Sequence, residues 1–304
     1  MESNQRISEL LIKTRAYSDL DKPVILTSGE LGIYYINTEK LCQDGGEFKK
    51  YGEESSSMVK HAVNMMQKHP TFKEVINILT EEVDSLFPIA IKKQYRGISG
   101  GQRRDWLFSG PVAAQLKLPH ISLYKKGKVE VLDYNGKIIS QPINDFYVIH
   151  IVDLITEGSS VYRVENREAK GWVPMLRNGG STIKNLVAVV TRLQGGEENL
   201  KKQGVTVHPF VAIDQDFVKN YSNNPERAIA YMKNPEKWSE NYLRKNGALD
   251  LIETFDPEGG KFDRAKKFLS RYGSVLQESG KMLELESAVH DKYGKSLHQI
   301  IGSI

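Results

Sequence analysis

The stretch VIHIVDLITEGSSVYR, residues 148–163, carries the residue types best suited to chemistry. An apolar, β-branched strand ends in Asp153, and a short loop rich in hydroxyl groups leads into a predicted helix. Backbone amides at the start of a helix point outward, where the helix dipole favours an anion. The hydroxyls of Thr156, Ser159 and Ser160 could add donors, and the carboxylate could accept hydrogen bonds from a sugar. The pattern predicts a sugar-phosphate site; the alternative is an ordinary strand–turn–helix connection with a capping Ser or Thr.

Alternating strands and helices must position this stretch. Strands are predicted at 23–29, 31–36, 86–91, 120–124, 146–154, 184–193 and 205–213, and helices at 5–16, 57–68, 71–83 and 112–116. This alternation favours an α/β fold with a parallel sheet, and such sheets bind ligands at the carboxyl ends of their strands. Asp153 lies at such an end. His150, inside the same apolar strand, is more typical of a buried core histidine than of a catalyst.

The strand signal stops near residue 214, and helical patterns continue to the end of the sequence. In FDRAKKFLSRY, the residues on one helical face are Phe262, Ala265, Leu269 and Tyr272. An apolar stripe of this kind is more typical of packing than of chemistry. The sequence therefore predicts an α/β domain over 1–215 and a helical extension over 216–304.

Composition excludes several classes of protein. The chain has 304 residues, of which 39% are hydrophobic, which is enough to bury a core. A formal net charge of +4 is too small for a dedicated nucleic-acid binder. Cys42 is the single cysteine, so neither an internal disulfide nor a zinc cluster is expected. The N-terminal stretch lacks the apolar core of a signal peptide, and no run reaches the roughly 18 apolar residues of a membrane span. We expect a soluble protein of a reducing cytoplasm, with no nucleic-acid or membrane partner.

The strand and loop at 148–160 resemble the ribose-phosphate-binding signature of type I phosphoribosyltransferases. In that signature an apolar strand and two acidic residues precede Thr, a small residue, Gly, and Thr or Ser. Val152 stands where the first acid is expected, and Glu157 stands where the small residue is expected. The first departure removes a carboxylate from the ribose and from any Mg²⁺, and the second adds a negative charge beside a phosphate. The residues that the resemblance implies for the ribose phosphate are Asp153, Thr156, Glu157, Gly158, Ser159 and Ser160.

Two further stretches, 24–37 and 189–205, are similar to orotate phosphoribosyltransferases. The matching residues are Ser28, Gly29, Tyr34, Tyr35 and Arg192, and the departures are Thr27, Thr191 and Leu193. The resemblance implies that Tyr34, Tyr35 and Arg192 line a base pocket, with the arginine contacting the carboxylate of orotate. Without the resemblance, the tyrosine pair is more typical of packing and the arginine of a plain salt bridge.

A third stretch, YKKGKVEV at 124–131, partly matches the catalytic loop of the same family. Lys125 and Lys128 fit, whereas Tyr124 and Glu130 stand at the Arg and His positions. Pyrophosphate leaves as a polyanion, so cationic donors must stabilise it. The pyrophosphate candidates are Gly100, Gly101, Arg103, Arg104 and Lys125, and the catalytic candidates are Lys125, Lys128 and Asp153. The alternatives are a solvated charge run at 125–128 and a salt-bridged surface cluster at 96–104.

The resemblance covers about residues 20–213 and implies a type I phosphoribosyltransferase-like parallel sheet flanked by helices. It further implies a homodimer that uses Mg²⁺, with no direct metal ligand from the protein. The implied substrates are phosphoribosyl pyrophosphate (PRPP) and orotate or a related base, as in pyrimidine nucleotide synthesis. Two other hypotheses stay open: a weak or inactive regulatory protein that binds PRPP or a nucleotide, and transfer to a different base.

Overall fold

The computed structural model describes residues 2–26, 28–43, 45–87, 96–258 and 262–301. The chain divides into two compact units, one formed by Met1–Tyr17 with Asn37–Phe217 and the other by Ser18–Ile36 with Val218–Ile304. The segment Ser18–Ile36 therefore belongs with the C-terminal helices, although the predicted α/β domain ran from 1 to 215. The reason is apolar packing, because Ile25 and Leu31 join the hydrophobic cluster of those helices.

The first unit is built on a seven-stranded sheet. Its strands are β3 (Arg96–Gly101), β4 (His120–Leu123), β5 (Val129–Leu132), β6 (Ile138–Ile139), β7 (Tyr147–Ile155), β10 (Thr182–Thr191) and β11 (Thr206–Ala212). They lie in the order β11-β10-β7-β3-β4-β5-β6. The first five in this order run parallel, and β5 and β6 pair antiparallel at one edge. This parallel-dominated sheet confirms the predicted fold class.

Helices accompany the strands of this unit. They are α1 (Glu2–Lys13), α2 (Ser55–Lys68), α3 (Pro70–Ser85), α4 (Trp106–Leu116), α5 (Trp172–Asn178) and α6 (Gly196–Lys202), and α7 (Gln215–Tyr221) contains the boundary between units. The central strand β7 is buried at every residue except Leu154. Its run of β-branched residues predicts this, because a parallel strand covered on both faces needs apolar side chains on both. The carboxyl end of β7 is therefore held firmly inside the sheet.

Three segments differ from the sequence-based prediction. Of the strand predicted at 86–91, Leu86 and Phe87 form the turn after α3, and the other residues lie outside the described part of the chain. Arg96–Gly101, predicted as part of a basic loop, forms strand β3 between β4 and β7. The helix predicted directly after residue 160 is replaced by a hairpin of β8 (Arg163–Glu165) and β9 (Glu168–Lys170).

Two of these differences have a physical cause in the structure, one in tertiary packing and one in the backbone of a turn. Three glycines weaken the strand propensity of β3, and they are there because neighbouring side chains come close. A Cβ atom at Gly101 would lie 2.3 Å from the indole ring of Trp172. The hairpin turns on Asn166 and Arg167, both with positive φ, which is the backbone of a two-residue type I′ turn. An Asn–Arg pair is a weak signal for that turn, since glycine usually takes the second position.

The second unit combines a hairpin with helices. Its elements are β1 (Tyr17–Ile25), which begins one residue before the unit, β2 (Leu31–Ile36), α8 (Pro225–Lys233), α9 (Pro235–Asn246), α10 (Phe262–Glu278), α11 (Met282–Tyr293) and α12 (Leu297–Ile301). Asn224 and Asn234 cap α8 and α9 through their side chains, each followed by a proline, as helix starts favour. Ala265, Leu269 and Tyr272 are buried, which confirms the predicted packing stripe. Across the described ranges, no helix is both long and apolar enough to cross a membrane.

Candidate active site

Asp153 lies near the carboxyl end of β7, as predicted, and is only 6% exposed. Its Oδ2 atom accepts a hydrogen bond of 2.7 Å from the hydroxyl of Thr38. The Nε atom of Arg104 lies 3.4 Å from the same oxygen and 3.9 Å from Oε1 of Glu39. A buried carboxylate is costly without such partners. These contacts therefore keep a charged oxygen at the sheet edge where α/β proteins bind ligands.

A cavity of about 400 Å³ opens beside this carboxylate. The predicted site residues on its wall are Arg103, Arg104, Lys125, Asp153, Thr156 and Ser160. They come from three separate stretches of sequence, which the parallel strands β3, β4 and β7 bring to one edge of the sheet. Three cations and two hydroxyls facing one small space suit a phosphorylated ligand.

The glycine pair at the end of β3 is packed rather than open. The Gly101 N–H donates to Oδ2 of Asp105 at 3.0 Å, and the Gly100 carbonyl accepts from the indole of Trp106 at 2.9 Å. A Cβ atom at Gly100 would lie 2.2 Å from Oγ of Ser109. Both positions therefore need glycine for close packing. The Gly101 amide, predicted to face pyrophosphate, is already engaged by a carboxylate.

The loop after β3 holds the cationic side chains. The Arg103 guanidinium lies 5.5 Å from the centre of the Phe48 ring, a cation–π contact that orients it. The Lys125 backbone N–H donates to the side chain of Gln102 at 3.0 Å. This hydrogen bond connects the loop after β3 to the turn after β4. The peptide bond between Gln102 and Arg103, in the same loop, is cis.

The lysine stretch at 124–131 forms a tight hairpin turn instead of a long loop. The Tyr124 N–H donates to the Lys128 carbonyl at 2.9 Å, and Gly127 adopts a φ of +89°. The Lys128 ammonium lies 2.5 Å from Glu130, and this contact raises the pKa of Lys128. It also lies 5.0 Å from the centre of the Tyr124 ring. Tyr124 and Glu130, the two departures from the family pattern, are thus the partners of this lysine.

The two predicted catalytic lysines therefore line different cavities. Lys125 lines the Asp153 cavity, whereas Lys128 lines a neighbouring cavity with Tyr51 and Glu130.

The loop after β7 is shaped by two glycines. Gly158 has a φ of +76°, and its Cβ position lies 3.3 Å from Cα of Gly196. The Gly196 N–H in turn donates to the Thr156 carbonyl at 3.1 Å. Because a hairpin and not a helix follows, the predicted helix dipole is missing here. Thr156 and Ser160 line the cavity, while Glu157 and Ser159 are exposed.

The predicted base residues lie in different units. Arg192 follows β10 in the first unit, half-buried, with its backbone N–H donating to the Ile155 carbonyl at 2.9 Å. Tyr34, on β2 of the second unit, is 4% exposed and packs edge-on against Tyr231 at a centroid distance of 6.0 Å. Tyr35 is 47% exposed. Tyr34 therefore fits the packing alternative, and Tyr35 presents its ring to solvent.

Sequence reasoning missed Thr38, Glu39 and Asp105. Thr38 is separated from its partner Asp153 by 115 residues, so no local pattern reveals the contact. Asp105 directly follows the arginine pair in GGQRRDW and lines the cavity. Burial and the negative charge of Asp153 raise the pKa of Asp105 well above its ordinary value. The signal in the sequence that could have identified Asp105 is its position directly after two predicted phosphate-binding arginines.

The sequence of this chain is similar to those of known phosphoribosyltransferases. No protein-family profile matches the chain. It is 24% identical over 194 residues to an orotate phosphoribosyltransferase of Thermoplasma acidophilum, covering 63% of this chain and 85% of the relative. It is 28% identical over 177 residues to an adenine phosphoribosyltransferase of Actinobacillus succinogenes, covering 52% and 93%. The chain is thus similar in sequence to phosphoribosyltransferases that act on different bases.

Solved structures resemble the chain at lower sequence identity. UMP synthase of Leishmania donovani aligns with a TM-score of 0.49 at 15% identity, covering 77% of this chain and 42% of that one. Orotate phosphoribosyltransferase from Aeropyrum pernix aligns with a TM-score of 0.43 at 17% identity, covering 70% and 98%.

Proposed function

We propose that this protein transfers ribose 5-phosphate from PRPP to orotate or a related base. Sequence similarity to orotate and adenine phosphoribosyltransferases supports phosphoribosyl transfer to a base. The observation that carries the proposal is the buried Asp153 carboxylate, held by Thr38 and Arg104 at the wall of a cavity that Arg103 and Lys125 also line. Ribose hydroxyls need an acceptor, and the phosphates need cations; this wall offers both.

Each part of PRPP has a matching group in this arrangement. Asp153 would accept hydrogen bonds from the ribose hydroxyls, and the hydroxyls of Thr156 and Ser160 would donate to the 5-phosphate. Arg104 and Lys125 would face the pyrophosphate. As the glycosidic C–O bond breaks, negative charge grows on the leaving pyrophosphate, so these cations stabilise the transition state more than the bound substrate. Arginine adds a bidentate grip that lysine cannot give.

Mg²⁺ fits this donor set as a substrate-borne ion. Within the described ranges, no group of three or more His, Cys, Asp or Glu side chains could hold a metal ion by itself. Mg²⁺ usually takes only one or two protein carboxylates together with phosphate oxygens and water. Asp153, whose Oδ2 atom already contacts Thr38 and Arg104, would hold the ribose hydroxyls beside such an ion without ligating it. The bound ion would neutralise charge on the leaving pyrophosphate.

Orotate is the proposed acceptor because Arg192 and the 24–37 stretch resemble the orotate-specific pattern. A cationic side chain at the end of β10 suits an acceptor that carries a carboxylate. The same proposal includes a homodimer working in the cytoplasm in pyrimidine nucleotide synthesis. Adenine belongs in the acceptor panel, since relatives of similar identity include adenine phosphoribosyltransferases.

Binding of PRPP without turnover is the second candidate function, and Lys128 favours it. The ammonium group of this residue is paired with Glu130 in a tight turn, whereas the family pattern implies a mobile catalytic loop. A protein that keeps the ribose-phosphate site and lacks the loop would bind and not transfer.

Titration calorimetry with PRPP and Mg²⁺, followed by a pyrophosphate-release assay with orotate, adenine and other bases, separates the two functions. Transfer predicts saturable binding and release with at least one base. Binding with no release for any base would support the second function instead. The D153N variant should lose PRPP binding, and D133N is its matched control. Asp133 lies outside the cavity, where its side chain accepts the backbone N–H groups of Asn135 and Lys137 in the turn between β5 and β6.

A further inference from the structure

Asp105 bridges the two strand ends that form the cavity wall. It lies directly before α4 and is 8% exposed. Its Oδ2 atom accepts the Gly101 N–H at 3.0 Å, and its Oδ1 atom accepts the Asp153 N–H at 2.9 Å. One carboxyl group therefore ties the end of β3 to the end of β7.

The Asp105 side chain lies where the backbone pairing of β3 with β7 ends. The pairing of β3 with β7 runs from Arg96 and Tyr147 to Ser99 and His150. Beyond that pair the backbones no longer bond to each other, and Asp105 fills the space between them with two acceptor oxygens. The separation of the pyrophosphate loop from the ribose loop is thus set by a side chain and not by the sheet.

Val152 stands where the family pattern has its first acid. It is 3% exposed and belongs to an apolar cluster with Ile155 and Val161. It also lines the Asp153 cavity, where it offers no polar group. Asp105 instead places a carboxyl group beside Asp153 from the neighbouring loop.

We propose that Asp105 is a positioning residue for phosphoribosyl transfer, which fixes Asp153 and Arg104 against each other by clamping the ends of β3 and β7. This inference rests on the proposed function. It assigns no direct contact between Asp105 and substrate; the residue acts through the groups that it holds. It also replaces, from a different element, the acid that the sequence lacks at Val152.

The protonation state of Asp105 also affects the charge of the cavity wall. The charged and titratable groups around Asp105 are Asp153 on β7, Arg104 beside it, Glu39 in the short helix Thr38–Cys42, Arg103 and Lys125 on the cavity wall and, through Ser109, His120 on β4. Burial and the Asp153 charge favour the protonated form of Asp105. A neutral clamp repels a polyanionic substrate less than a second carboxylate would. Ionisation at high pH should therefore weaken PRPP binding.

The test is steady-state kinetics of the full chain with D105N, D105A and the control D133N. Asparagine keeps one acceptor oxygen, so one backbone tie remains; alanine removes both. We expect D105N to raise the KM for PRPP about tenfold, with a larger rise in D105A, because lost hydrogen bonds to buried groups cost this much. The KM for the base should stay within about twofold, since the clamp does not reach the acceptor. The PRPP KM of the wild type should rise with pH, and that of D105N should not.

The outcomes separate this inference from the proposed function. Circular dichroism and thermal melting first establish that the variants fold. An active wild type with D105N and D105A kinetics equal to those of D133N would overturn the role of Asp105 alone. Equal losses for both substrates with an unchanged pH profile would mean a purely structural residue and would also overturn it. A wild type that neither binds PRPP nor releases pyrophosphate would overturn the proposed function, and the role of Asp105 with it.

Discussion

Two buried histidines should make the first unit sensitive to acid. His120 and His150 are 1% and 0% exposed. The Nδ1 atom of His150 lies 2.8 Å from the hydroxyl of Ser99, and His120 lies 2.8 Å from Ser109 and 3.0 Å from Ser122. Burial lowers the pKa of each histidine to about 3, and the nearness of His120 contributes for His150. Both rings are therefore neutral in the folded protein.

Because both rings stay neutral in the folded protein, the free energy of unfolding decreases as the pH falls. In the unfolded chain each histidine has a pKa near 6.5, so unfolding takes up protons and stability is lost between about pH 6.5 and pH 3. Each histidine removes about 1.4 kcal/mol per pH unit over this window, or roughly 2 kcal/mol by pH 5. The pair together should lower the free energy of unfolding by about 3 kcal/mol between pH 6.5 and pH 5, because each histidine is already half protonated in the unfolded chain at pH 6.5. That is a large part of the 5–15 kcal/mol typical of a folded domain.

Urea unfolding followed by circular dichroism at pH 6.5 and pH 5 measures this loss. His150→Gln removes one titrating group, so the variant should lose about half as much stability over the same pH step. The comparison uses the pH difference, because the substitution changes stability at every pH. His298→Gln, at an exposed position, should behave as the wild type does. An equal pH-dependent loss in wild type and His150→Gln would refute the reasoning.

Three further predictions follow from the site and its packing. Lys125→Ala should raise the KM for PRPP about tenfold and Lys128→Ala less than about twofold, because only Lys125 lines the Asp153 cavity; similar effects in steady-state assays would count against the assignment. Gly101→Ala should lower the free energy of unfolding by about 2–3 kcal/mol, because the added Cβ would lie 2.3 Å from a tryptophan ring. Gly273→Ala, whose Cβ would meet only a methionine methyl at 3.7 Å, should be neutral or stabilising in the same denaturant titration. Arg192→Ala should raise the KM for orotate far more than that for PRPP, and equal shifts would argue against an acceptor role.

Local patterns predicted the parts of this fold that local forces decide. The apolar run of β7 marks a strand covered on both faces, and Leu31–Ile36 forms a strand over its predicted length. In the predicted helical extension, Asn224 and Asn234 cap helix starts and are each followed by a proline. In these places the side chains and the backbone favour the same structure.

Prediction failed where long-range packing decides. Strand β3 is rich in glycine, and only its neighbours Ser109 and Trp172 explain why larger residues are excluded. The site residues Thr38 and Asp105 reach Asp153 from distant parts of the chain. The lysine stretch at 124–131 gave the correct residue types, but Lys125 and Lys128 line different cavities. Residue type is local information, whereas direction depends on the tertiary fold.

The composition of the second unit has a consequence for synthesis on the ribosome. Strands β1 and β2 emerge about 180 residues before Val218, where the rest of that unit begins. At a translation rate of roughly 5–20 residues per second, about 10–40 s pass between the synthesis of this hairpin and the start of the helices of its unit. During that interval Ile25 and Leu31, buried in the finished protein, are exposed to other nascent chains. A chain that ends near residue 217 would lack the helices of this unit and would leave these two side chains uncovered.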